Sequence, residues 1–70
     1  PDVLIEKMKA RYADQNVNTI DGLKIDFADE WVHLRKSNTE PIIRIYTESK
    51  SKDAAEKLAK RIENELSSMI

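Results

Sequence analysis

Residues 17–27 read VNTIDGLKIDF, and this stretch indicates how the chain folds. After Asp21-Gly22, the apolar residues Leu23, Ile25 and Phe27 fall at every second position, which is typical of a strand that buries one face. Gly22 is the only glycine of the chain, and it accepts the positive φ that a type I′ turn requires. The stretch therefore predicts a β-hairpin with a two-residue loop at Asp21-Gly22.

Two more strands are predicted further along the chain. Asp29-Glu30 is expected to form a second hairpin turn before residues 31–35, which read WVHLR. Residues 42–47 read IIRIYT and are rich in the β-branched and aromatic residues that strands favour. Pro41 precedes them at a strand entry, where its missing N–H matters least.

Helical patterns stand at both ends of the strands. Residues 3–12 place Leu4 and Met8 at helical spacing, followed by either Arg11 or Tyr12. The last segment is expected to begin at a cap formed by Ser49 or Ser51. Its apolar residues recur every three or four positions and form one stripe: Ala55, Leu58, Ala59, Ile62, Leu66 and Met69.

This order predicts a single α+β domain over residues 1–70. Short connections favour a four-stranded antiparallel meander, and the two helices, each with one apolar stripe, would pack on one face of it. The opposite face would carry Trp31, His33, Arg35, Arg44 and Tyr46. Trp31 is expected to pack across strands, and His33 to have a structural or interdomain role.

The composition argues against several classes of function. Twelve Lys and Arg against 13 Asp and Glu give a formal charge of −1, which argues against nucleic-acid or anionic-membrane binding. With no cysteine and one histidine, a catalytic metal centre in this chain is not expected. No apolar run has the length of a membrane span. We expect a cytoplasmic domain that is a piece of a longer protein.

One segment concentrates polar chemistry. Residues 35–41 read RKSNTEP, and with Arg44 they contain three basic side chains and one acidic one, a net charge of +2. Guanidinium groups, hydroxyls and the N–H groups of a tight turn can together bind a phosphate. Glu40 could orient Arg35 or Arg44 through a salt bridge. The same composition also occurs in ordinary polar turns, so spacing alone leaves both interpretations open.

Residues 21–27, 29–41 and 44–48 together resemble the C-terminal domain of the α-D-phosphohexomutases. The string Arg-x-Ser-Asn-Thr-Glu-Pro is highly specific, because seven positions and both flanking strands fit at once. The resemblance implies a fold like that of the TATA-box-binding protein and a mobile lid that holds the substrate phosphate not being transferred. Matched by position, the phosphate-binding residues are Arg35, Ser37, Asn38 and Thr39, with Arg44 as a further arginine of the pattern.

The resemblance also implies what lies outside this chain. A phosphoserine, a magnesium ion and a sugar-recognition loop would belong to three other domains, so no catalytic residue or metal ligand is expected here. The parent enzyme would interconvert hexose 1-phosphate and hexose 6-phosphate through a bisphosphate. Asn38 stands where glucosamine-type mutases usually have glycine, which favours the phosphomannomutase/phosphoglucomutase branch. The alternatives are a phosphoglucosamine mutase domain and a non-catalytic phosphate-binding or interaction module.

Overall fold

The structure, a computed structural model, describes residues 2–37 and 42–69. It consists of helix α1 (Asp2–Arg11), strands β1 (Asn16–Asn18), β2 (Leu23–Asp26), β3 (Trp31–Lys36) and β4 (Ile43–Glu48), and helix α2 (Lys52–Ser68). The strands form one antiparallel sheet in the order β1-β2-β3-β4, the predicted meander. The α+β class, the order of elements and the antiparallel sheet are confirmed.

The hydrophobic core lies between the helices and one face of the sheet. Its buried members come from α1, β2, β3 and α2: Met8, Leu23, Ile25, Val32, Leu34, Leu58, Ile62 and Leu66. Because residues of both helices belong to this one cluster, both helices cover the same face. We call the other face of the sheet the outer face.

Helix α2 begins as the sequence predicts, at a serine cap. The Ser51 hydroxyl accepts a hydrogen bond from the N–H of Ala54 at 3.0 Å, which satisfies one of the donors left free in the first turn. The alternative cap, Ser49, instead donates from its hydroxyl to Glu30 at 2.7 Å. Ser51 is therefore the N-cap, and Ser49 connects the end of β4 to the β2–β3 turn.

The first hairpin turn differs from the prediction. The connection between β1 and β2 spans residues 19–22 rather than two residues, and the last pair of the two strands is Asn18 with Lys24. Among the described residues only Gly22 has a positive φ, at 76°, whereas a type I′ turn needs positive φ at both central positions. The Asn18 side chain accepts a hydrogen bond from the N–H of Ile20 at 2.9 Å. This contact ends β1 early and leaves Ile20 exposed in the turn.

The second turn is shifted by one residue. Asp26 is the partner of Trp31, and the Phe27 N–H donates to the Glu30 carbonyl at 2.8 Å. The turn is thus centred on residues 28–29, not on Asp29-Glu30.

No helix within residues 2–37 or 42–69 combines the length and apolar character needed to cross a bilayer.

The two helices are joined at the C-terminal end of α1. The Tyr12 hydroxyl lies 2.8 and 2.7 Å from the two carboxylate oxygens of Glu65 on α2, and Arg11 contacts the same carboxylate at 3.1 Å. The Tyr12 ring also packs edge-on against Phe27, with centroids 5.7 Å apart. Burial and the neighbouring Glu65 carboxylate raise the pKa of Tyr12 above its ordinary value.

Candidate functional site

Two of the predicted phosphate-binding residues stand directly opposite each other in the sheet. Arg35 on β3 is the cross-strand partner of Arg44 on β4, and both are exposed. Like charges directly opposite in an antiparallel pair destabilise it by roughly 0.2–1 kcal/mol. An anion bound between the two guanidinium groups would remove this repulsion, so the arrangement suits a ligand with negative charge.

The third predicted residue, Ser37, follows immediately after β3. Its N–H donates to the carbonyl of Ile42 at 3.1 Å, one step beyond the last strand pair, Lys36 with Ile43. This hydrogen bond closes the base of the β3–β4 connection beside Arg35. The predicted residues Asn38 and Thr39, together with Glu40 and Pro41, lie outside the described residues.

A carboxylate that the sequence interpretation did not include joins this site. The Asp21 Oδ2 atom lies 3.4 Å from the Arg35 Nη2 atom, and the two side chains are 65% and 48% exposed. In a meander the β1–β2 and β3–β4 connections fall at the same end of the sheet, which explains how the two residues meet. That topology was the signal in the sequence that could have indicated their proximity.

A polar cavity of about 410 Å³ opens at the same end. Helix α1, the β1–β2 turn and the end of β3 form its walls: Ile5, Glu6, Lys9, Thr19, Asp21, Gly22, Arg35 and Lys36. Three basic side chains and two acidic ones line it, a net charge of +1. Arg35 therefore contributes both to the outer face and to this cavity, whereas Arg44 belongs to the outer face.

The remaining residues of the outer face make structural contacts. The Trp31 indole N–H donates across the strands to Glu48 at 2.8 Å, and the Lys24 ammonium lies 5.0 Å from the centroid of the Trp31 ring, which confirms the prediction that Trp31 packs across strands. His33 donates from Nε2 to the main-chain carbonyl of Asp21. Its contact supports a structural role, because it holds the β1–β2 turn against β3.

Within residues 2–37 and 42–69, no three His, Asp or Glu side chains converge in a way that could hold a metal ion. In the described part of the candidate site, the predicted polar groups are the guanidinium groups of Arg35 and Arg44 and the side chain of Ser37. These donors suit an oxyanion such as phosphate.

Comparison with known proteins gives a family match over most of the chain. Residues 2–65 match the family described as phosphoglucomutase/phosphomannomutase, C-terminal domain. A probable phosphoglucosamine mutase of Pyrococcus horikoshii is 41% identical over 59 residues, which is 84% of this chain and 13% of that protein. A probable phosphoglucosamine mutase of Methanothermobacter thermautotrophicus is 37% identical over 75 aligned positions, 99% of this chain and 17% of its own length.

A relative named phosphoglucomutase/phosphomannomutase shares a higher percentage of residues over a shorter stretch. A phosphoglucomutase/phosphomannomutase of Thermococcus kodakarensis is 56% identical over 39 residues, 56% of this chain and 9% of that protein. The chain thus spans less than a fifth of the length of each of these relatives.

Proposed function

The chain belongs to the family of phosphoglucomutase/phosphomannomutase C-terminal domains, and from that membership we propose that it binds the phosphate group of a sugar phosphate for a longer phosphohexomutase. Arg35, Ser37, Asn38, Thr39 and Arg44 form the proposed binding site. This site binds the phosphate group of the substrate that is not being transferred. The partners are a phosphosugar substrate and the remaining domains of the enzyme, and the proposed location is cytoplasmic.

The observation that carries the proposal is the pairing of Arg35 with Arg44. A fold that makes two arginines direct cross-strand partners favours a dianionic ligand, because such a ligand can accept hydrogen bonds from both guanidinium groups. Ser37 supports it, since its backbone closes the connection beside Arg35. Charge-assisted hydrogen bonds contribute about 1.5–3 kcal/mol each, so a few of them would hold a phosphate without an apolar pocket.

The reaction itself is assigned to the rest of the enzyme. In the proposed scheme, hexose 1-phosphate and hexose 6-phosphate are interconverted through a bisphosphate in other domains, where a phosphoserine would give and take back the phosphoryl group and a bound magnesium ion would neutralise phosphate charge. This domain closes over the substrate by holding its second phosphate. Closure excludes water and aligns the transferred group, which is how lids contribute to turnover in many enzymes.

The hexose is proposed to be mannose or glucose. Asn38 in the Arg-x-Ser-Asn-Thr-Glu-Pro string supports this choice, and relatives named phosphoglucomutase/phosphomannomutase and phosphoglucosamine mutase both match the chain. A glucosamine phosphate is the alternative substrate. Because the proposed grip is on phosphate, all three hexose phosphates are expected to bind this domain with similar affinity.

A titration followed by ¹⁵N NMR tests the proposed function. The 70-residue chain is titrated with mannose 1-phosphate, glucose 1-phosphate, glucosamine 1-phosphate and unphosphorylated mannose. We expect the three phosphates to shift the amide signals of Arg35, Ser37 and Arg44, and mannose to leave them unchanged. Arg35→Ala should weaken phosphate binding by about tenfold or more, the loss of one charge-assisted contact.

The matched control is Lys50→Ala, which also removes one exposed positive charge. Lys50 pairs with Asp29 at 3.4 Å near the β2–β3 turn, at the opposite end of the sheet. Its removal should change phosphate affinity less than twofold. Equal losses in Arg35→Ala and Lys50→Ala, or equal binding of mannose and its phosphate, would contradict the proposal.

A further inference from the structure

We infer that Asp21 is a positioning residue that orients the Arg35 guanidinium toward the bound phosphate. The inference rests on the proposed function of Arg35 and extends it to a residue outside the RKSNTEP segment. The observation that supports it is the ion pair between Asp21 Oδ2 and Arg35 Nη2 at 3.4 Å. Asp21 does not itself contact the phosphate in this proposal.

The position of Asp21 is fixed by its own backbone. Its carbonyl accepts a hydrogen bond from His33 Nε2. The next residue, Gly22, has φ 76°, and a Cβ atom there would overlap the carbonyl oxygen of Leu34. The hydrogen bond and the close approach of Gly22 hold the turn against β3 immediately before Arg35, which brings the Asp21 side chain within reach of the guanidinium.

The Arg35 side chain, in contrast, needs a contact that fixes its orientation. It is long and 48% exposed, and its cross-strand partner is the like-charged Arg44. Repulsion between the two would drive the guanidinium groups apart, while the proposed grip needs both to face one anion. Asp21 belongs to the β1–β2 turn, on the side of β3 away from β4, so its carboxylate compensates part of the Arg35 charge and thereby weakens this repulsion. It leaves other N–H donors of the guanidinium for the phosphate, since the group has five.

Asp21 also carries a negative charge that would repel a phosphate. This opposing effect acts between exposed groups through solvent, where salt screens it strongly. The ion pair between Asp21 and Arg35 is screened as well, but it is a direct contact at 3.4 Å, whereas Asp21 does not contact the phosphate. We therefore expect the removal of the Asp21 charge to weaken phosphate binding at physiological ionic strength.

The test is a set of variants of the 70-residue chain titrated with inorganic phosphate at 0.15 M salt, followed by NMR. Asp21→Asn keeps the size of the side chain and removes its charge. We expect its dissociation constant for phosphate to rise about two- to fivefold, the range that exposed ion pairs give. The Arg35 Nε–Hε signal of the phosphate-free protein should shift and gain mobility in this variant. Asp21→Glu, which keeps the charge, should retain most of the affinity.

Asp29→Asn is the matched control. Asp29 is 64% exposed and pairs with Lys50 at 3.4 Å, nearly the same exposure and distance as Asp21 with Arg35, but at the other end of the sheet. It should leave both the phosphate affinity and the Arg35 signal unchanged. Equal effects of Asp21→Asn and Asp29→Asn would overturn the inference, and so would tighter binding in Asp21→Asn.

The Asp21→Asn/Arg35→Ala double variant separates this inference from the proposed function. If Asp21 acts through Arg35, the double variant should bind phosphate no more weakly than Arg35→Ala alone. Additive losses would mean that Asp21 acts independently of Arg35, and would overturn the positioning role while the phosphate site stands. An Arg35→Ala chain with unchanged affinity would instead overturn the proposed function, and the role of Asp21 with it.

Discussion

The hydroxyl of Tyr12, just after α1, donates a hydrogen bond to the carboxylate of Glu65 on α2. Its oxygen lies 2.8 Å from Oε1 and 2.7 Å from Oε2. The two residues are 53 positions apart in the sequence, and Arg11 contacts the same carboxylate. This contact joins the first helix to the last one beside the hydrophobic core. Stability of the domain should therefore depend on the protonation of one tyrosine.

The first prediction is a loss of stability at alkaline pH that Tyr12→Phe removes. Because the pKa of Tyr12 is raised in the folded chain, the unfolded chain loses this proton first as pH rises. The contribution of Tyr12 is thus complete below about pH 10, the ordinary tyrosine pKa, and is lost as pH rises toward the folded value. At pH 7 we expect Tyr12→Phe to lower the free energy of unfolding by about 1–2 kcal/mol.

Urea unfolding at pH 7 and above pH 10 measures both effects. The control is Tyr46→Phe, since Tyr46 is exposed on the outer face and its substitution should change stability little. An alkaline loss of the same size in wild type and Tyr12→Phe would show that other groups cause it.

The second prediction concerns Gly22. Replacement by valine places a β-branched residue at φ 76° and its Cβ against the Leu34 carbonyl oxygen. The left-handed backbone alone costs about 1–2 kcal/mol, and the overlap adds to it. A single core of this size supplies only about 3–5 kcal/mol, so we expect Gly22→Val to be largely unfolded by circular dichroism at 25 °C. Ala28→Val, in the exposed β2–β3 turn, should remain folded, and a Gly22→Val chain with the wild-type melting temperature would contradict the turn geometry.

The third prediction separates the two arginines by their effect on stability. In the absence of phosphate, Arg44→Gln should keep or raise the melting temperature, because it removes a like charge opposite Arg35. Phosphate at tens of millimolar should raise the melting temperature of the wild type by ligand linkage, and that of Arg44→Gln by less. Thermal unfolding with and without phosphate, at constant ionic strength, measures both. A phosphate-free variant that melts well below wild type would mean that Arg44 stabilises the sheet instead.

The fourth prediction applies to a longer enzyme that contains this domain. Arg35→Ala should raise KM and lower kcat together, with a loss of about 30- to 150-fold in kcat/KM, because both binding and closure depend on the contact. Lys36→Ala should cost much less, and Arg44→Ala should lie between them. Steady-state kinetics with mannose 1-phosphate and glucose 1-phosphate measure the losses. Equal losses on both sugars fit a phosphate grip, whereas a loss on one sugar alone would mean that Arg35 recognises the hexose.

The fifth prediction is that the 70 residues alone show no mutase turnover. They span only 13% and 17% of two relatives named as probable phosphoglucosamine mutases, and phosphoryl transfer is proposed to occur in other domains. The chain is incubated with mannose 1-phosphate, a hexose bisphosphate and magnesium, and mannose 6-phosphate is measured. Product above a no-protein control would overturn this division of roles.

The sequence predicted those parts of the fold that depend on local periodicity. Burial of Val32 and Leu34 on one face of β3 follows from alternation, and burial of Leu58, Ile62 and Leu66 follows from helical spacing. The hairpin turns were predicted less well, because their geometry depends on contacts that periodicity does not encode. The Asn18 side chain ends β1 early, and the carbonyl of Leu34, distant in sequence, packs against Gly22.

The candidate site, too, was predicted only in part from the sequence. Strand parity correctly placed Arg35 and Arg44 on the outer face, and the register made them partners. The predicted meander brings the turn of Asp21 and the end of β3 to the same end of the sheet, but the ion pair itself depends on side-chain positions that only the three-dimensional structure gives. Asn38 and Thr39 lie outside the described residues, and their part in phosphate binding remains a proposal.

The meander order has a consequence for self-association. Since β1 and β4 are the outermost strands of the described sheet, their outward backbone groups could pair with another copy of the chain. β1 has only three residues, too few to form a good template. β4 is longer and carries Arg44 and Glu48 on its exposed face, and charges on an edge strand oppose such pairing. The charge of Arg44 thus opposes pairing of β4 with a second copy of the chain, and an apolar residue in its place would favour aggregation of the free domain.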